Sequence, residues 1–145
     1  MNQIEERELN DTECKKFFKH LDQSERPLLY VGGGVIAGEG SKSLRDFAEK
    51  FQIPIATTLM GIGAIGTQSI LSLRMLGMHG TAYANYAVED CDFVIAVGAR
   101  FDDRVAACPK NLLHKRSVAH FDIDPSEFAK LKTLIGFILE YLTKP

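Results

Sequence analysis

The sequence predicts an α/β fold: a doubly wound parallel sheet with helices on both faces. Two observations carry this. Short runs such as PLLYV (27–31), IPIAT (53–57), DFVIAVG (92–98) and SVAHFDI (117–123) are apolar almost throughout, without the alternation of a half-solvated strand. They are interleaved with segments of helical period, the pattern of crossover units that cover a parallel sheet from both sides. In such sheets ligands sit beyond the carboxyl ends of the strands. The runs end in VGGG, TTLMG, VGARFDDR and FDID, so these four stretches are expected to share one rim.

Residues 1–10 form a polar, acidic lead-in, expected to be frayed. Asp11 or Thr12 can cap a first helix with Phe17, Phe18 and Leu21 on its inner face. The strand 27–31 is bounded by Pro27 and by glycine. SKSLRDFAEKF (41–51) places Leu44, Phe47, Ala48 and Phe51 at helical spacing behind Gly40 or Ser41 as cap. After the strand 53–57, LMGIGAIG (59–66) is a glycine-punctuated loop. GTAYANYAVEDC (80–91) reads as a helix with Tyr83, Tyr86 and Ala87 inward. The strands 92–98 and 117–123 follow. Asp124-Pro125-Ser126-Glu127 then starts a helix, with Asp124 as cap and Pro125 at the first helical position.

The chain has 145 residues, enough for one domain with a core of its own. A net charge of -2 without a long Lys/Arg run argues against a nucleic-acid platform or a membrane-surface patch. No apolar run approaches a membrane span, and the start resembles neither a secretory signal nor a transit peptide. Cys14, Cys91 and Cys108 are odd in number and lack a CxxC pair. They are expected to be reduced thiols in a cytoplasmic protein rather than a disulfide framework or zinc site.

Glycines after a parallel strand let backbone approach a ligand and leave N–H groups for phosphate oxygens. GGGVIAGEG departs from GxGxxG, with Ala37 where the last glycine falls. By themselves Gly32, Gly33 and Gly34 read equally as a ligand cradle or a structural turn. In GARFDDR, Arg100 and Arg104 flank Asp102 and Asp103. Arginine forks suit a pyrophosphate or a planar base; on composition alone, an Asp–Arg network that pins the loop is the plainer reading. Asp122 is placed to accept from a ribose, whereas Asp124 reads as a cap. His79, between glycines, is either a turn residue bonded to backbone or a ligand contact. Met60, Met75 and Met78 are either core or a pliable wall for a flat ring. No metal set and no catalytic constellation stands in the sequence: no nucleophile elbow, no P-loop lysine, no carboxylate pair in apolar surroundings.

The stretches RPLLYVGGGV, ATTLMGIGAIG, MLGMHGTAYANYAVEDCDFVIAVGARFDDRV and AHFDIDPSEFAK, in this order and spacing, resemble the central domain of the catalytic subunit of acetolactate synthase, a thiamine-diphosphate enzyme. The resemblance covers about residues 26–130. It implies a Rossmann-like sheet of about five or six strands of the DHS-like NAD/FAD-binding type. It also implies that this domain holds FAD, which does no net redox in that family. Thiamine diphosphate and magnesium belong to the flanking domains of the full enzyme, which condenses two 2-oxoacids with loss of carbon dioxide. Carried over by motif, the FAD contacts fall on Gly32, Gly33 and Gly34; on Thr58, Leu59 and Met60; and on Leu76, Gly77, Met78 and His79. Gly98, Arg100, Asp102, Arg104 and Val105 follow on the third rim loop, and Asp122 with Ile123 at the adenosine end.

The resemblance also sets expectations by its departures. The segments that carry the catalytic glutamate and the diphosphate–metal motif are not among these 145 residues, so the chain is expected to form one domain that does not turn over alone. Its partners would then be further copies of itself, the remaining family domains or a regulatory subunit. The other reading is a stand-alone nucleotide-binding or oligomerisation module. The segment 129–145 is atypical, with Phe137 where the family has an aspartate. Leu131, Leu134, Ile135, Ile138, Leu139 and Leu142 can form one amphipathic helix, leaving a sheet edge missing or remade.

Overall fold

The computed structural model describes residues 11–100 and 117–121, and the backbone of 135–137. The expectations for residues 1–10, for Cys108 and for the Asp124–Glu127 helix start lie outside the described residues. Helix α1 (Asp11–Gln23) leads into strand β1 (Pro27–Val31). A short helix α2 (Gly33–Ala37) and helix α3 (Ser41–Phe51) precede strand β2 (Ile55–Thr57). A 3-10 turn (Leu59–Gly61), strand β3 (Ser72–Met75) and helix α4 (Ala82–Asp90) follow. Strands β4 (Phe93–Val97), β5 (Ser117–Phe121) and β6 (Ile135–Phe137) complete a six-stranded sheet of order β3-β2-β1-β4-β5-β6.

All five strand pairings are parallel. The chain builds β1, β2 and β3 outward to one side, then returns to lay β4, β5 and β6 on the other. The direction of winding therefore switches between β1 and β4, which are in register from Pro27↔Phe93 to Val31↔Val97. Alternate side chains of the central strands enter different cores. Leu29, Val31, Ile55, Phe93, Ile95 and Phe121 pack with Phe17, Leu21, Val35, Leu44 and Ala48 of α1, α2 and α3. Leu28, Tyr30, Ala56, Val94, Ala96 and Val118 pack with Ala84 and Val88 of α4. Both faces are covered, as a doubly wound sheet requires.

Phe17 anchors the first core, its ring centroid 5.8 Å from that of Phe93 and 5.5 Å from that of Phe121. Burying one such ring contributes about 1.5–3 kcal/mol. Phe18 does not join it. One residue further turns the side chain some 100° around the helix, and Phe18 is 42% exposed, packed edge-on against Phe17 and tilted against Phe51. The same geometry corrects the expectation for the tyrosines of α4: Tyr83 and Tyr86 are exposed, Ala84 and Val88, four apart, face the sheet, and Ala87 packs half-buried beside them as expected. The small Ala84 lets the helix lie close.

Two elements are additional to the expected ones. Helix α2 forms where a turn was expected, and β3 where a loop was. Strand β3 carries an extra residue opposite the Ile55/Ala56 step, and Arg74 adopts φ 64° there, a β-bulge at the sheet edge. The expected helix over 131–142 does not hold at its centre: Ile135–Phe137 pairs parallel with Ala119–Phe121 as β6. The strand supplies hydrogen-bond partners to an edge of β5 that a helix would have left bare.

At the amino ends of the strands, Asp92 ties the α1–β1 link to the start of β4. Its carboxylate accepts from the Ser24 hydroxyl, from the Glu25 N–H (2.8 Å) and from the Arg26 N–H (3.1 Å). Partial burial pushes the Asp92 carboxyl up, but these bonds outweigh it and hold it below the usual carboxylate range. Arg26 in turn bonds the Asp90 carbonyl at 2.8 Å.

Candidate functional site

At the carboxyl ends, the residue after each of β1, β2, β3 and β4 donates to the last residue of a neighbouring strand. Leu76 N–H bonds the Thr57 carbonyl (2.9 Å) and Thr58 N–H the Val31 carbonyl (2.9 Å). Gly32 N–H bonds the Val97 carbonyl (3.0 Å) and Gly98 N–H the Phe121 carbonyl (2.8 Å). This lateral series aligns the segments starting at 76, 58, 32 and 98 side by side across the sheet. Three of the four stretches expected on one rim, at 32, 58 and 98, therefore lie side by side about the β1/β4 switch, with Leu76 joining from β3; the fourth, beyond Phe121, lies outside the described residues.

The glycines there are held against backbone. A Cβ on Gly32 would lie 2.2 Å from the Gly98 carbonyl oxygen, one on Gly34 2.8 Å from Gly98 Cα, and one on Gly33 2.8 Å from Met60 Cβ. Gly98 has φ 56°, and its own Cβ would lie 2.7 Å from Val35 N. Gly32 gives its N–H to Val97 and Gly34 gives its N–H to Gly98 at 3.0 Å. Two of the three glycine amides thus stitch the β1 and β4 loops together. Gly33, half-buried, is the one whose amide has no acceptor among the described residues.

On one side of this seam the 3-10 turn is fixed by Thr58, whose hydroxyl accepts from Gly61 N–H at 3.2 Å. Gly61 lies so near the strand that a Cβ would meet the Val31 carbonyl oxygen at 2.3 Å. The turn presents Leu59, 69% exposed, and Met60, 73% exposed. Next to it, Leu76 and Gly77 are buried, while Met78, 83% exposed, and His79 stand out in solvent. Met60 and Met78 are therefore surface groups, not core.

Two residues that sequence reasoning left unassigned shape this last loop. Thr81 caps α4, its hydroxyl accepting from Ala84 N–H at 3.2 Å and donating to the Leu73 carbonyl at 2.8 Å. Leu73 is the residue of the bulge, so Thr81 satisfies a carbonyl that the ladder leaves out. Asn85 accepts from Gly77 N–H and donates to the Gly77 carbonyl, each at 3.0 Å. A threonine before a helical run is a visible cap signal; nothing in the spacing of Asn85 announces its partner.

Past the seam, Ala99 is buried and Arg100 exposed. The fully buried His120 of β5 donates from Nε2 to the Ala99 carbonyl at 3.0 Å, which fixes the backbone just before Arg100. Asp102, Arg104, Val105, Asp122 and Ile123 lie outside the described residues. Among the described residues no group of three or more His, Cys, Asp or Glu stands together as metal ligands, and no helix is long and apolar enough to cross a membrane. A shallow hollow over Lys15, Phe18, Lys19 and Asp22 is lined by α1 alone and includes none of the rim residues.

The family description "Thiamine pyrophosphate enzyme, central domain" matches residues 14–144. The chain belongs to that family. This central domain is similar to the acetolactate synthase large subunit of Parasynechococcus marenigrum (strain WH8102), 56% identical over 110 residues, 76% of this chain and 18% of that protein. It is similar to the acetolactate synthase large subunit of Porphyra purpurea, 44% identical over 129 residues, 86% of this chain and 22% of that protein. It is also 53% identical to a probable chloroplastic acetolactate synthase 2 of Oryza sativa subsp. japonica over 112 residues, 77% of this chain and 17% of that protein. The central domain thus spans about a fifth of the length of the curated relatives it matches.

Proposed function

We propose that this chain is the FAD-holding central domain of an acetolactate synthase large subunit. The complete enzyme would condense two 2-oxoacids with decarboxylation, on thiamine diphosphate and magnesium held by its other domains. The observation that carries the reading is the single rim on which Gly33, Met60, Leu76 and Gly98 stand side by side, in a chain whose relatives are acetolactate synthases.

The residues present fit an extended, partly aromatic dinucleotide. Gly33 offers an amide to a phosphate oxygen, and Arg100, exposed on the neighbouring loop, a guanidinium. Leu59, Met60 and Met78 offer exposed apolar surface that a flat ring system would cover. Asp102, Arg104, Val105, Asp122 and Ile123 complete the proposed set on the resemblance. FAD, when bound, would supply no net redox to the condensation, and the domain's own task is to hold and shield it. Catalytic residues are assigned to none of these positions, and the 145 residues alone are proposed not to turn over.

Further copies of the chain, the remaining domains of the enzyme or a regulatory subunit are the proposed partners, in place of nucleic acid or membrane. The compartment is read as the cytoplasm, in keeping with the free thiol of Cys14. One observation favours the alternative of a module without cofactor: the Gly32 and Gly34 amides are already used inside the fold. Titration of the purified chain with FAD decides between them. Saturable binding with quenched flavin fluorescence and a shifted flavin absorption band is expected; no saturation from micromolar to millimolar FAD overturns the reading. With pyruvate, thiamine diphosphate and magnesium added, no carbon dioxide release is expected from this chain alone.

A further inference from the structure

Asn85 lies in the second turn of α4, where asparagine is a poor helix former compared with alanine. Its side-chain amide sets an N–H donor beside a carbonyl acceptor, as a peptide group does. Both are bonded to a single residue, Gly77, at 3.0 Å each. Gly77 has φ 112°, a conformation that side-chain-bearing residues rarely take. Gly80 N–H closes the same turn on the Gly77 carbonyl at 3.0 Å, and Thr81 N–H anchors its far end to the Met75 carbonyl at 2.9 Å. Asn85 therefore acts as a surrogate strand neighbour for a peptide that has left the sheet. The turn it holds carries the exposed Met78 and His79.

We propose that Asn85 is the positioning residue of the rim: by pairing with both backbone groups of Gly77 it sets the Met78–His79 turn in the shape that receives the flavin nucleotide. This rests on the cofactor reading above. No other residue of this length does both jobs, because aspartate lacks the donor and serine has one atom for two bonds.

Hydrogen exchange in the full chain tests it without reference to turnover. In Asn85→Ala the amides of residues 77–81 are expected to exchange about tenfold faster or more, as loss of two hydrogen bonds implies. Those of Ile95 and its neighbours in β4 should be unchanged. FAD affinity is expected to fall by about tenfold in the same variant. Asn85→Asp, which still accepts from Gly77 N–H, should fall between, and it supplies the comparison if Asn85→Ala does not fold. Tyr86→Ala, on the exposed side of the same helix, should leave both readouts unmoved. Unchanged exchange at 77–81 overturns the proposal, as does faster exchange there with undiminished FAD affinity. A wild-type chain that takes no FAD sinks the cofactor reading and the second arm with it. The exchange arm still decides whether Asn85 sets the turn.

Discussion

Gly32 leaves room for no side chain. Its missing Cβ would sit 2.2 Å from one backbone oxygen and 2.5 Å from the Cα of Ala99, and neither neighbour is the flexible end of a side chain. Gly32→Ala is expected to cost at least about 2 kcal/mol in urea unfolding, because β1 and β4 must separate to admit a methyl group. Gly66→Ala is the matched control: a Cβ there meets nothing within 4 Å, and a change within about 0.5 kcal/mol is expected. The glycine run was legible in the sequence as a rim feature, because glycine after a buried strand has few other uses. Which of its atoms faces out was not legible. That depends on Gly98, over sixty positions away in the chain, whose carbonyl takes the Gly34 amide. Asn85 was illegible for a related reason. A side chain that bonds backbone leaves no complementary residue type to be noticed.

Helix α3 ends on Gln52 in the left-handed conformation, φ 54°, with the Ile53 N–H returning to the Ala48 carbonyl at 3.0 Å. Glycine takes that backbone without the Cβ penalty. Gln52→Gly is expected to stabilise by about 0.5–1 kcal/mol, less whatever the exposed Gln52–Glu49 hydrogen bond contributes, and to raise the thermal midpoint by a few degrees in calorimetry. Elements buried on both sides were the readable ones: β1 was expected at 27–31 and runs there, β4 at 92–98 and runs from Phe93 to Val97. Helix α3 was expected at 41–51 and spans the same residues. The unread elements lack a pattern to read. Helix α2 has five residues, too few for a period to repeat. Strand β3 is short, half-exposed and interrupted by its bulge. At 131–142 the apolar spacing satisfied a helical period, and pairing with β5 won over it at Ile135–Phe137; tertiary hydrogen bonding overrode local pattern.

Acid should loosen the whole molecule at the end of the sheet away from the proposed site. The Asp92 carboxyl titrates below its unfolded value near 3.9. Its contribution is therefore fully present above about pH 4 and is lost as pH falls through the lower folded value. In thermal melts Asp92→Asn is expected to be less stable than wild type near neutral pH. The gap should narrow below about pH 4, where the native carboxylate takes up its proton. A gap that stays constant with pH would mean that Asp92 acts through its geometry alone. Fold class and rim followed from the order of buried runs and glycines, since winding rules convert that order into topology. The bulge in Ser72–Met75 has one more effect at this scale. A margin kinked by a surplus residue and bearing the exposed cation of Arg74 is a poor template for another chain's backbone. The sheet is thereby discouraged from growing into fibrils from that side, and copies that meet there must do so through their side chains.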